Sequence, residues 1–112
     1  MILYHITKGR LVNRILREGL TPKYDQHIKS RELGRGRVIN LTNESGVSYI
    51  VQRFKTAMTP RGPQYRGRIV VLKVIINPED AQLVHHKDHE GLSWFITTKS
   101  IPPENILEVL PT

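Results

Sequence analysis

The chain has 112 residues, a length that allows one hydrophobic core and is too short for two. It contains no cysteine, which excludes disulfides and thiolate metal sites, and no apolar run approaches the roughly 18 residues of a membrane-spanning helix. No secretory signal is recognisable at its start, so we expect a soluble, intracellular protein of the cytoplasm.

The net charge of +7 is unevenly distributed along the chain. Residues 1–75 carry 15 basic and four acidic side chains, a net charge of +11, whereas residues 76–112 carry two and six, a net charge of −4. An excess of positive charge favours a polyanionic partner such as nucleic acid. The alternative is a basic surface that serves solubility alone.

The amino-terminal segment predicts a strand followed by a helix. Residues 1–5 are apolar, which is typical of a short buried strand. Thr7 is placed to cap the helix, because its hydroxyl can accept hydrogen bonds from the free amides of the first turn. Gly19 suits the left-handed residue that ends many helices. The apolar face of the helix is formed by Leu11, Val12, Ile15 and Leu16.

A second strand and helix follow a long polar loop. Residues 21–36 are polar and basic without periodicity, and they predict either a solvated loop or part of a binding surface. Residues 37–41 predict a strand, and Thr42 or Asn43 can cap the helix behind it. The apolar stripe of that helix is Val47, Ile50, Val51 and Phe54.

The second half of the chain is rich in predicted strands. Residues 68–76 are almost entirely apolar or β-branched, which predicts a central strand. Shorter strands are expected at residues 82–85, 94–98 and 107–110, the last of them at an edge of the sheet. Helices early and strands late predict an α+β fold, with a mixed or antiparallel sheet and two helices in the amino-terminal half, in a single domain over residues 1–112.

Generic catalytic motifs are missing from the sequence. There is no P-loop, no GxGxxG, no HExxH and no nucleophile elbow. His85, His86 and His89 lie close together around Asp88, but their context predicts a polar turn between strands, with a zinc site as the less common alternative. We therefore expect no metal.

Arginines concentrate in two predicted loops. Phosphates and a stacked base would both suit a mixture of arginine and tyrosine, although a solvated loop has the same composition. The candidate residues for contact with a nucleic acid or another acceptor are Arg31, Arg35, Arg37, Arg61, Tyr65, Arg66 and Arg68.

Three segments stand out in order along the chain, namely residues 3–7 with 15–22, residues 38–42 and residues 94–106. Together they resemble the ADP-ribosyltransferase-like superfamily. This group includes small bacterial and phage mono-ADP-ribosyltransferases, DarT-type toxins that modify DNA, and RNA 2′-phosphotransferases. Residues 3–7 (LYHIT) and 15–22 (ILREGLTP) are similar to the opening of these proteins. Residues 38–42 (VINLT) resemble their second-strand motif, and residues 94–106, which contain IPPE, resemble their closing segment.

The resemblance implies a split, mixed sheet around a cleft that binds NAD as co-substrate. It implies that His5 hydrogen-bonds the ribose next to nicotinamide and that Thr7 assists. In the family a late glutamate bonds the ribose and stabilises the positive charge that develops as nicotinamide leaves. Glu90 is the candidate for this second catalytic role beside His5, while Ser93 and Trp94 stand where that glutamate is expected.

Departures from the family pattern leave two functions open. Asn40, two residues before Thr42 in the second motif, replaces a tyrosine that stacks on nicotinamide, and Tyr24 or Trp94 can supply the aromatic ring instead. The first hypothesis is an NAD-dependent mono-ADP-ribosyltransferase that acts on nucleic acid or a nucleic-acid-associated protein, with Asn40, Thr42 and Tyr24 among its NAD-binding residues. The second is a non-enzymatic module on the same fold that binds nucleic acid or protein. An unrelated basic α+β domain remains the third.

Overall fold

The structure, a computed structural model, describes residues 1–24 and 37–112. The strands are β1 (Ile2–Lys8), β2 (Lys23–Tyr24), β3 (Arg37–Thr42), β4 (Met58–Thr59), β5 (Gly62–Pro63), β6 (Ile69–Ile75), β7 (Val84–Lys87), β8 (Ser93–Thr97) and β9 (Ile106–Pro111). The helices are α1 (Val12–Glu18), α2 (Glu44–Thr56) and α3 (Pro78–Ala81), with 3-10 turns at Gly9–Leu11 and Pro103–Asn105. This element order confirms the predicted α+β class.

One antiparallel sheet contains most of the strands, in the order β7-β8-β3-β1-β6-β9, with β2 paired to β3. The prediction of a central strand at residues 68–76 is confirmed, since β6 lies between β1 and β9. β1 and β6 pair along their whole length, from Ile2 opposite Ile75 to Lys8 opposite Ile69. β9 forms an edge of the sheet, as expected for its sequence.

Apolar side chains cover both faces of the sheet. On one face, Leu3 and Leu72 pack with Ile15 of α1. On the other face, Ile6 and Val71 pack with α2, whose apolar stripe is the one predicted. The helix begins where expected, because the side chain of Asn43 accepts a hydrogen bond from the Gly46 amide. Among the described helices, none has the length and apolar character that crossing a bilayer requires.

The predicted N-cap at Thr7 is wrong. β1 continues to Lys8, and Thr7 is a strand residue opposite Val70. The helix begins only at Val12, after a 3-10 turn, and Leu11 at its N-cap position makes no capping hydrogen bond through its side chain. A seven-residue ladder with β6 satisfies the backbone at Thr7, so the local capping preference does not decide its conformation.

The sheet opens between β1 and β3. These two strands share a single residue pair, Tyr4 opposite Thr42, whereas β1 pairs with β6 over seven positions. Past Tyr4, the backbone of β1 is therefore paired with β6 alone, and space is left between β1 and the first part of β3. This split positions the candidate site.

Candidate functional site

A cavity of about 580 Å³ lies at the split between β1 and β3. Its volume falls within the range of about 300–1,000 Å³ that is usual for small-molecule sites. Its described lining comes from β1, the turn and helix behind it, β2, β3, α2 and the loop before β6. The β1 residues among them are His5, Ile6, Thr7 and Lys8.

The ring of His5 is held in one tautomer at this cavity. Its Nδ1 lies 2.8 Å from the carbonyl oxygen of Asn40. A carbonyl only accepts, so Nδ1 donates the proton, and Nε2 of the neutral ring is an acceptor. Burial lowers the pKa of His5 below its ordinary value of 6.5; the bond to Asn40 opposes this shift, and the positive charge of Lys23 adds to it. The imidazole is therefore neutral at pH 7.

Protonation of His5 should destabilise the folded protein. Because the folded-state pKa is depressed, the unfolded chain binds the proton first as the pH falls below 6.5. We expect the free energy of unfolding, measured in urea between about pH 7.5 and 5.5, to fall more steeply in the wild type than in His5→Gln. The matched control His86→Gln, on exposed strand β7, should keep the wild-type slope. Parallel slopes for wild type and His5→Gln would contradict this assignment.

Thr7 lies on the same face of β1 as His5, two residues further along, and also lines the cavity. Its side chain is buried, with 7% of the residue exposed. The strand period therefore brings the two predicted β1 site residues side by side, although Thr7 does not cap the helix.

Cationic side chains dominate the described rim of the cavity. They are Lys8, Arg10, Arg14 and Lys23. Glu18 is the one carboxylate among the described lining residues. Its Oε2 lies 2.9 Å from Nε of Arg14, and this hydrogen bond holds the pKa of Glu18 below its usual value. The described lining residues therefore have a net charge of +3, and the one carboxylate among them is already paired.

Lys8 and Arg10 were not predicted as site residues from the sequence, and Lys23 was included only as part of the loop of residues 21–36. One signal was available, since Arg10, Arg14 and Glu18 recur every four residues and lie along one side of the amino-terminal turn and helix. Lys8 and Lys23 have no such signal. They reach the cavity because β1 and β2 both border the split.

Two aromatic rings form another wall of the cavity. Phe54 of α2 and Tyr65 stack with 4.4 Å between ring centroids and an interplanar angle of 9°. The ammonium of Lys8 lies over the Tyr65 ring, 5.5 Å from its centroid. Tyr65, which was predicted to contact a nucleic acid or another acceptor molecule, therefore lines the cavity and lies next to the ammonium of Lys8.

Asn40 and Thr42 have different positions on β3. Asn40 lines the cavity, and its backbone carbonyl orients the ring of His5. Its side chain lies on the other face of the sheet from those of Ile39 and Leu41, because side chains alternate along a strand. Thr42 is fully buried, and its hydroxyl donates to the carbonyl of Ser93 at 2.9 Å. Thr42 therefore joins β3 to β8 and is not among the cavity-lining residues.

Glu90 lies in the turn between β7 and β8, against α2. Its carboxylate accepts a hydrogen bond from the hydroxyl of Tyr49, and it is not among the residues that line the cavity. Asp88 fixes this turn by accepting from the backbone amides of Glu90 and Leu92 at 2.9 and 3.0 Å, and from the indole of Trp94 at 3.0 Å. The structure does not bring Glu90 together with His5.

The remaining predicted positions divide into two groups. Arg31, Arg35 and the side chain of Tyr24 lie outside the described residues. The other predicted arginines are all exposed, and they are Arg37, Arg61, Arg66 and Arg68. The carbonyl of Arg68 accepts from the Gly9 amide at 2.7 Å, which holds the arginine-rich loop of residues 59–68 beside the rim formed by Lys8 and Arg10.

The histidine cluster forms a hairpin, as its context predicted. His85 stacks on Phe95 with 4.7 Å between centroids, and its Nε2 lies 3.0 Å from the Ser93 hydroxyl. Within residues 1–24 and 37–112, no group of three or more His, Asp or Glu side chains is arranged to hold a metal ion.

Comparison of this chain with models of known protein families and with curated proteins finds no match in either. The family resemblance of the sequence therefore remains a prediction based on three segments.

Proposed function

We propose that the protein is an NAD-dependent, ADP-ribosyltransferase-like protein that acts on nucleic acid or on a nucleic-acid-associated protein, and that NAD binds in the split between β1 and β3. The observation that supports this most is the state of His5. Its ring is neutral, its Nδ1 proton is engaged by Asn40, and Nε2 is an acceptor at a cavity of ligand size. A ribose hydroxyl is the donor that this nitrogen suits, and the Thr7 hydroxyl offers a second polar contact on the same face.

The charge of the rim supports a ligand with phosphate groups. Lys8, Arg10 and Arg14 line the cavity, and guanidinium groups pair well with phosphate oxygens. A dinucleotide combines these requirements, because it joins ribose hydroxyls to a pyrophosphate.

The exposed arginines support a polyanionic acceptor. The loop of residues 59–68 lies beside the rim through the bond between Gly9 and Arg68, so Arg61, Arg66 and Arg68 extend the positive surface away from the cavity. A nucleic acid held on these residues would lie next to the bound dinucleotide, and its binding would weaken with added salt.

A second candidate function is favoured by the position of Glu90. Its carboxylate is bonded to Tyr49 and lies away from the cavity lining, and the lining carboxylate Glu18 is paired with Arg14. A site whose described lining offers no available carboxylate fits a non-enzymatic module on the same fold that binds nucleic acid or protein.

Label transfer distinguishes these functions. The full chain is incubated with NAD labelled in its adenylate half and with single-stranded DNA, duplex DNA, RNA or a lysate. Label on an acceptor, lost in His5→Ala, would establish the transferase, and its loss in Glu90→Gln as well would assign the acid to Glu90. Salt-sensitive nucleic-acid binding that is unaffected by NAD, without any label, would establish the module and exclude the transferase.

A further inference from the structure

We infer that the cavity at the split binds ADP-ribose more tightly than it binds NAD. ADP-ribose represents the ligand class that we expect here, a nucleoside diphosphate without a positively charged group. This inference rests on the proposed nucleotide site and adds a ligand preference to it.

ADP-ribose and NAD differ at one carbon. Both contain adenosine, a doubly negative pyrophosphate and a second ribose. NAD carries the cationic nicotinamide ring on that ribose, whereas ADP-ribose carries a hydroxyl there. The hydroxyl is a further donor that an acceptor such as Nε2 of His5 can bind, and it introduces no charge.

The described lining disfavours a cation. The basic side chains of that lining are Lys8, Arg10, Arg14 and Lys23, and Lys23 is near enough to His5 for its charge to act on the ring. A nicotinamide ring on the ribose that contacts His5 would therefore lie in the positive field of Lys23. Because Lys23 is exposed, solvent and salt screen this repulsion, which is therefore strongest at low ionic strength.

The described carboxylates do not offset this field. Glu18 is hydrogen-bonded to Arg14, so its negative charge is already balanced by that cation. Asp88 and Glu90 lie in the β7–β8 turn, where Trp94, Tyr49 and backbone amides engage them. The pyrophosphate gains from the cationic rim in both ligands, but only NAD also has a positive ring to accommodate.

The preference has a functional consequence for either proposed activity. In a transferase with this site, free ADP-ribose would compete with NAD. It would inhibit at concentrations lower than the NAD concentration that the enzyme needs. A binding module with this site would recognise ADP-ribose groups, free or attached to other molecules.

Calorimetric titration of the full chain with ADP-ribose, NAD and NADH tests the inference. NADH is the matched control ligand, since it has the size of NAD and an uncharged ring. ADP-ribose and NADH should each bind about tenfold more tightly than NAD at low ionic strength, and the difference should shrink as salt is added. Lys23→Gln should reduce the preference, whereas Lys99→Gln, which removes an exposed charge outside the cavity lining, should leave it unchanged.

The outcomes separate the inference from the proposed function. Binding of NAD at least as tight as that of ADP-ribose would overturn the preference and leave the nucleotide site intact. Equal affinities for NAD and NADH, both weaker than that for ADP-ribose, would also overturn it, because size and not charge would then decide. If none of the three ligands binds, the proposed function fails together with the inference.

Discussion

Replacing Gly19 by alanine should lower the free energy of unfolding by about 3 kcal/mol or more, because two costs coincide at this residue. Its φ of +85° with ψ of −174° lies in a region that only glycine adopts readily, which costs another residue about 1–3 kcal/mol. A Cβ at this position would also overlap the carbonyl oxygen of Ile101. That oxygen accepts from the Leu20 amide at 2.8 Å, so moving it away would break the contact that closes the carboxyl-terminal segment over α1.

Gly67→Ala is the matched control for this prediction. Gly67 has a similar φ of +83°, but an added Cβ would meet no atom within 4 Å. We expect this change to cost about 1 kcal/mol, from backbone strain alone. Urea unfolding of both variants gives the comparison, and a Gly19→Ala protein as stable as the Gly67→Ala protein would show that the overlap with Ile101 is not important.

His5→Ala should weaken the binding of ADP-ribose and NAD by about 10- to 100-fold, the effect expected when a ligand loses a buried hydrogen bond to its main polar partner. The variant removes the Nε2 acceptor and leaves the Asn40 carbonyl without the donor at 2.8 Å. Thr7→Val, which removes only a hydroxyl of the same face, should have a smaller effect. Calorimetry measures both affinities.

Control measurements separate binding from folding in this series. His86→Ala changes an exposed histidine on β7 outside the cavity lining and should bind like the wild type. Urea unfolding of His5→Ala shows whether the variant is still folded under the binding conditions. An affinity within twofold of wild type in a folded His5→Ala protein would mean that the ligand does not contact the ring, and the nucleotide site would have to lie elsewhere.

Local patterns predicted the elements whose stability depends on nearby residues. The stripe of Val47, Ile50 and Val51 and the Asn43 cap define α2, because helix periodicity and capping involve residues within a few positions of one another. The apolar and β-branched run of residues 68–76 predicted a central strand, since a strand that is apolar on both faces needs cover on both.

Two segments of the family-like pattern meet in the fold. Leu20 and Ile101 form a β-bridge with hydrogen bonds of 2.8 and 2.9 Å, although 81 positions separate them in the sequence. The sequence showed that both segments resemble one family. It did not show that they contact each other, because a resemblance places segments in order along the chain and not in space.

By itself, then, the sequence determined the α+β class, the main helices and strands, and the positive charge of the first two thirds, and it predicted His5 and Thr7 as site residues. Only the tertiary structure decided that Thr7 belongs to a strand, that a cationic cavity opens beside His5, and that Glu90 lies against α2. The reason is that these features depend on pairings between distant strands, above all β1 with β6 and its early separation from β3. Such pairings are selected by the packing of the whole core, which no short window of residues contains.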